Sequence, residues 1–185
     1  MADSNITKQA LAASLQELMR EIPFEKISVA HICGKCGMNR KSFYYHFKDK
    51  YDLVNWIFDK NFIDFATAMT ADEADDDRWE LIERACEHFY EERDFYRKAF
   101  LIKGQNSFSE HFREYILPLL KKRLVCLVGD DGADDFTVNF FSDAIVCSME
   151  RWLLDQNCMP PKQFVAKIKG LVQNGAAAIY RETAF

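Results

Sequence analysis

The sequence predicts an all-α chain in two parts, a three-helix bundle over residues 1–50 and a longer helical region over residues 51–185. Three observations carry that prediction. Apolar residues recur at helical spacing along most of the chain. No run alternates apolar and polar residues for the length of a convincing strand. Pro and Gly fall between the periodic stretches, at Pro23, Gly37, Gly104 and the pair Pro160 and Pro161.

The first helix is expected over about residues 5–20, capped by Ser4 or Asn5, with Leu11, Leu15, Leu18, Met19 and Ile22 on one buried face. Pro23 ends it, and Phe24 and Ile27 plug the small core. A short second helix follows Ser28, which is placed to cap it, with Val29 and Ile32 on its apolar side. Gly37 supplies the left-handed geometry of a tight turn. Asn39 then caps a third helix, over about residues 40–47. On it Phe43 and Phe47 share one face, while Lys41, Tyr45 and Lys48 fall roughly opposite. Two short helices around a glycine turn, the second apolar behind and basic-aromatic in front, fit a helix-turn-helix. Arg40, Lys41 and Tyr45 are the candidates for base contacts: Arg pairs bidentately with guanine, and Tyr meets a thymine methyl.

Charge distribution agrees. Net charge is −5, which taken whole argues against nucleic acid. Residues 1–50 carry eight Lys/Arg against five Asp/Glu (+3), and the remainder sixteen against twenty-four (−8). A basic end on an acidic body focuses attraction for phosphates on one site.

The run SV-x-x-I-C-x-x-C-G-M-N-R-K-S-FYYHF-K-D-K-x-x-L resembles the DNA-binding signature of the TetR family of bacterial regulators, whose usual form is close to SV-x-x-I-A-x-x-A-G-V-S-x-x-T-LYYHF-x-S-K-x-x-L. The resemblance covers about fifty N-terminal residues at unbroken spacing. It implies that Ser28, Ser42, Tyr44, His46 and Lys50 stand where the family often touches the DNA backbone; Asn39 and Lys48 complete the candidate set. It implies a C-terminal ligand-binding and dimerisation domain over residues 51–185. Arg40 and Lys41 depart from the small or neutral residues frequent at their positions, so the target sequence is not transferable. The string FYYHFKDKYDLVNWIFDKNF with a short Phe-rich second part is similar to the subgroup of dihydroxyacetone-kinase operon regulators.

From Lys50 a fourth helix is expected to about residue 69, with Leu53, Ile57, Phe58, Phe62 and Phe65 inward, as a continuous element coupling the two parts. The acidic run 72–77 reads as a loop and cap, followed by helices over about 78–92 and from Asp94. Residues 108–128 form the next helix, kinked or divided at Pro118, and a turn follows over 129–135. Two long helices, over about 135–155 and 161–182, close the chain. Thirteen of the sixteen Phe follow residue 50. Phe62, Phe65, Phe89, Phe95, Tyr96, Phe100, Phe112, Tyr115 and Trp152 are candidates to line an aromatic cavity for a small-molecule effector, against the simpler reading of core filling. The final pair of helices is apolar beyond one stripe. Phe141, Ile145, Met149, Phe164, Ile168, Leu171 and Ile179 are the candidates for a homodimer interface, which a palindromic operator requires.

Other readings are weaker. Cys33 and Cys36 suggest half a zinc site or a redox pair, but no second ligand pair follows, and both stand where the family carries small alanines. His88 and His111 sit among acids without metal-ligand spacing. No phosphate loop, nucleophile elbow or dinucleotide fingerprint is present, so no enzyme and no cofactor is expected. No apolar run reaches transmembrane length, the N-terminus lacks the pattern of a secretory signal, and six Cys without regular spacing suit a reducing cytoplasm, which the family resemblance implies is bacterial. The expected partners are double-stranded operator DNA, a second copy of the chain, and an effector molecule or partner protein. Repression is the expected sign; activation, or an adaptor whose C-terminal part binds a sensor protein, is the alternative.

Overall fold

The structure, a computed structural model, describes the backbone of residues 2–70, 75–104 and 106–183 and the side chains of residues 4–63, 65, 67, 79–104 and 106–175. Among the described residues there are helices and turns and no strand. α1 (Ala2–Glu21) starts ahead of its expected caps, so Ser4 and Asn5 lie inside it. Leu11, Leu15 and Met19 are buried as the periodicity requires. A 3₁₀ turn, Phe24–Lys26, leads to α2 (Val29–Lys35) and α3 (Arg40–His46). α4 (Lys50–Thr70) is preceded by Asp49, whose Oδ1 accepts the Tyr51 and Asp52 amides at 2.8 and 2.9 Å.

α5 (Asp75–Glu91) and α6 (Arg93–Phe100) follow, then a loop with Gly104 and Asn106 at positive φ. The acidic run 72–77 thus enters α5 at Asp75, while residues 71–74 lie outside the described residues. α7 (Phe108–Gly132) holds Pro118 without leaving helical angles there. The break comes at Gly129, with φ 77° and ψ 175°, where only glycine is unstrained. α8 (Asp135–Leu154) is capped by Asp134, and α9 (Pro161–Thr183) starts at a proline whose missing N–H costs nothing in a first turn.

Packing divides the chain into two units, Met1–Asn61 with Asp94–Ser109, and Phe62–Arg93 with Glu110–Phe185. In the first, Ile32, Phe43, Phe47 and Leu53 join the α1 residues in one core. Phe108 receives Phe58, Tyr96 and Phe100 at ring distances of 5.6, 5.8 and 4.8 Å. Lys98 Nζ donates to the Met19 and Arg20 carbonyls, fastening α6 to the end of α1. In the second, Leu120, Leu124, Val128, Val138, Phe141 and Val172 form a core from α7, α8 and α9, and Trp152 stacks on Phe164 at 4.3 Å. α4 contributes its first twelve residues to one unit and the rest to the other.

Candidate nucleic-acid interface and effector cavity

Local capping builds the N-terminal site. Ser28 Oγ accepts the His31 amide at 3.2 Å, and the Ser28 amide donates to His31 Nδ1 at 3.3 Å, so a histidine completes the capping box of α2. Gly37 takes φ 68° in the turn. Asn39 Oδ1 accepts the Ser42 amide at 2.8 Å and the Ser42 hydroxyl at 3.2 Å, capping α3. Phe43 and Phe47 are buried, and Phe47 packs edge-on against Trp56 at 5.7 Å. Anchored in this way, α3 faces outward with Arg40, Lys41, Tyr44 and Tyr45; Tyr45 is 82 % exposed and Tyr44 52 %. His46 and Ser42 are half-buried on the flanks, the His46 ring edge-on to Tyr45 at 4.8 Å, and Lys48 is exposed just beyond. An α-helix with its side chains is about 10–12 Å across, and a major groove about 12 Å wide admits it.

Lys50 is placed differently from the phosphate contact the family resemblance implies. Its Nζ donates to the Phe24, Ile27 and Glu25 carbonyls at 2.7, 2.8 and 3.3 Å and lies 4.3 Å from the Phe24 ring centroid. An ammonium has three N–H groups, and three carbonyls meet them. Burial pulls its pKa below the usual lysine value. Lys50 therefore ties the start of α4 to the 3₁₀ turn behind α2. Cys33 and Cys36 are free thiols, the first buried with Sγ 3.6 Å from the Asn39 carbonyl, the second 3.4 Å from the Ile32 carbonyl. Burial raises the Cys33 thiol pKa, which disfavours the reactive thiolate.

The second unit contains a cavity of about 140 Å³. Of the expected aromatic residues, Phe62, Phe65, Phe89, Phe112 and Tyr115 line it. Phe95, Tyr96 and Phe100 belong instead to the core of the first unit, and Trp152 is taken up by its stack on Phe164. Periodicity missed Trp79, Cys86, Ile116, Leu119 and Arg123, which also line it. Burial pushes the Cys86 thiol pKa up to about 12, so it faces the cavity uncharged. The Tyr115 hydroxyl donates to the Phe62 carbonyl. The indole N–H of Trp79 is buried and without a hydrogen-bond partner.

The expected interface residues divide. Phe141, Met149 and Phe164 are buried within the unit, with Ile145 and Ile168 half-buried, whereas Leu171 is 67 % exposed. The Ile179 side chain lies outside the described residues. The apolar residues that α8 leaves outside are Phe136, at 78 % exposure, and Phe140, at 54 %, in a row continued by the exposed Ala144 and Cys147.

A short helix held by its phenylalanines and presenting cations and tyrosines to solvent defines the class: a helix-turn-helix DNA-binding protein. Residues 10–57 match the sequence profile of bacterial regulatory proteins of the tetR family, and residues 76–174 match that of a TetR transcriptional regulator C-terminal region. The chain belongs to the TetR family, as a DNA-binding transcriptional regulator and not an enzyme. It is 31 % identical over 114 residues to the dhaKLM operon transcriptional activator DhaS of Lactococcus lactis subsp. lactis (strain IL1403), a match spanning 60 % of this chain and 57 % of that relative. A dihydroxyacetone kinase operon activator DhaS of known structure shares the fold at TM-score 0.60 and 21 % identity, covering 94 % of this chain and 97 % of that one. The likeness to the DhaS subgroup thus holds in sequence and in fold. NalD, the secondary repressor of the MexAB-OprM efflux pump in Pseudomonas aeruginosa, aligns at TM-score 0.66 and 16 % identity over 95 % of this chain and 98 % of its own. The Thermus thermophilus repressor FadR, solved with lauroyl-CoA, aligns at 0.62 and 15 % over 91 % and 94 %. Among the described residues no helix is long and apolar enough to cross a membrane.

Proposed function

We propose that the chain is a homodimeric, effector-responsive regulator, acting in the bacterial cytoplasm, that binds a palindromic operator through paired α3 helices. The observation that carries this reading is the outward face of α3: Arg40, Lys41 and Tyr45 exposed, with Phe43 and Phe47 buried behind them. Arg40 and Lys41 read base edges with Tyr45, and Ser28, Ser42, Tyr44, His46 and Lys48 set position on the backbone. Functionally the division falls at residue 50, with residues 1–50 reading DNA and residues 51–185 regulating. α4 carries the state of one part to the other, because an unbroken helix shared by both transmits a rotation. An effector that prefers one arrangement and an operator that prefers another weaken each other by the same factor.

Repression by occupying the operator is the primary reading of sign. Activation is favoured by one observation, the 31 % sequence identity to the activator DhaS. A reporter driven by the neighbouring promoter separates them: deleting the gene raises expression under a repressor and lowers it under an activator. Binding itself is tested by footprinting the DNA flanking the gene at controlled salt. Protection of two half-sites, with affinity falling steeply as salt rises, is expected. Binding indifferent to sequence would sink the reading.

A further inference from the structure

We infer that the cavity of the second unit takes a compact, uncharged aromatic molecule with one hydrogen-bond acceptor, its ring against the apolar wall and its acceptor on the Trp79 indole N–H. The inference rests on the effector-responsive reading above and gives that effector its chemistry. Size comes first. The cavity of about 140 Å³ is close to the roughly 150 Å³ that holds a benzene ring in an apolar protein interior, so it matches a single ring.

The character of the wall decides the rest. Phe89 and Phe112, with ring centroids 5.6 Å apart and edge to face, set an aromatic wall that complements another ring. Arg123 belongs to the lining, yet the surface exposed to the cavity is almost entirely apolar. The Tyr115 hydroxyl already donates to the Phe62 carbonyl, and burial keeps the Cys86 thiol protonated. A charged ligand would give up its water for a wall that exposes little but carbon, so the occupant is neutral. A triose with a polar group on every carbon would meet that penalty at each of them. Trp79 supplies the one polar requirement. It lines the cavity at 8 % exposure, and its indole N–H is buried with no hydrogen-bond partner among the described residues. An indole nitrogen is a donor only, with a single hydrogen to give. A buried donor left unmatched is costly, and one acceptor on the ligand removes that cost.

Full-length protein without DNA, carrying isotope-labelled tryptophan, is titrated with acetophenone. The comparison probes are isopropylbenzene, which has nearly the same shape without the carbonyl, sodium benzoate and dihydroxyacetone. Acetophenone is expected to bind one per chain in calorimetry and to raise the melting temperature. In nuclear magnetic resonance spectra of the wild type, the Trp79 indole N–H signal is expected to move further downfield with acetophenone than with isopropylbenzene. Trp79→Phe keeps a ring at the site and removes the N–H. It is expected to weaken acetophenone by about five- to tenfold while isopropylbenzene binding moves less than twofold. The indole signal is read in the wild type, so it decides the matter even where the variant fails to fold. Absence of acetophenone binding to wild-type protein, or a Trp79 signal that moves no further with acetophenone, overturns the inference. So does an equal loss of both probes in the folded variant, or tighter binding of benzoate or dihydroxyacetone. Operator binding by the ligand-free wild type is measured beside it. Its loss with acetophenone binding intact removes the regulator reading, and its persistence without acetophenone binding removes only the ligand class.

Discussion

At the scale of single residues, Arg40 and Lys50 show what periodicity reveals and what it hides. The helical period places Arg40 on the open side of α3 once Phe43 and Phe47 are assigned to the core, and the structure leaves it exposed. Replacing Arg40 by Ala is expected to cost about 1–3 kcal/mol on the preferred operator and less on variants altered at the base it reads. Competition binding against a panel of half-site variants measures this, and an equal loss on every variant would make Arg40 a backbone contact. Lys50 was not legible in the same way. Its acceptors are backbone carbonyls 23 to 26 residues earlier, and a carbonyl leaves no mark in a sequence. Lys50→Met is expected to destabilise the protein by about 1–3 kcal/mol, the range for a charged hydrogen-bonded group. Its salt dependence of DNA binding should match wild type. A slope reduced by about one, with stability unchanged, would return Lys50 to the phosphates.

At the scale of elements, caps were readable and breaks were less so. Ser28 and Asn39 each fill the side-chain role that their residue type and place before a periodic stretch imply. Pro118 carried an equally strong signal for a break, yet α7 passes through it and departs from helical angles at Gly129 instead. A proline forfeits one hydrogen bond, which neighbouring packing outweighs; Leu120 and Leu124, on the following turns, are buried. Pro118→Ala restores the amide at an exposed site and is expected to stabilise the fold by up to about 3 kcal/mol in chemical denaturation. The cavity wall was hard to read because Ile116, Leu119 and Arg123 share one face of α7 with core residues. A cation on that face was the available sign. The cap of α8 gives an acid dependence. Asp134 accepts the Thr137 amide at 2.7 Å, and that bond, with a second from the Thr137 side chain, holds its carboxyl below the usual value of 3.8. A depressed carboxylate adds stability above its unfolded pKa and loses it as pH falls through the folded one. The stability advantage of wild type over Asp134→Asn is therefore expected to shrink on acidification below about pH 4, as read by urea melts across pH.

At the scale of the whole molecule, two adjacent phenylalanines on α8 allow the proposed assembly to be tested apart from folding. Phe141 is 7 % exposed and packs with Leu124, Val138 and Val172, whereas Phe140 is 54 % exposed beside Phe136. Exposed aromatic rows of this kind are uncommon on a chain that works alone, and in the proposed homodimer a C₂ partner would bury each row against its own copy. Phe141→Ala opens a cavity inside the unit and is expected to cost about 3–5 kcal/mol of stability. Phe140→Asp places a charge on the outer row, which a monomer tolerates and a dimer does not. Its expected signature is a monomer in sedimentation with a helical far-ultraviolet spectrum close to wild type. Operator affinity should drop by about two orders of magnitude or more, because the second half-site no longer arrives tethered to the first. A Phe140→Asp protein that stays dimeric would move the interface off this face of α8. Two half-sites would still need a dimer, whose contact would then have to come from another surface.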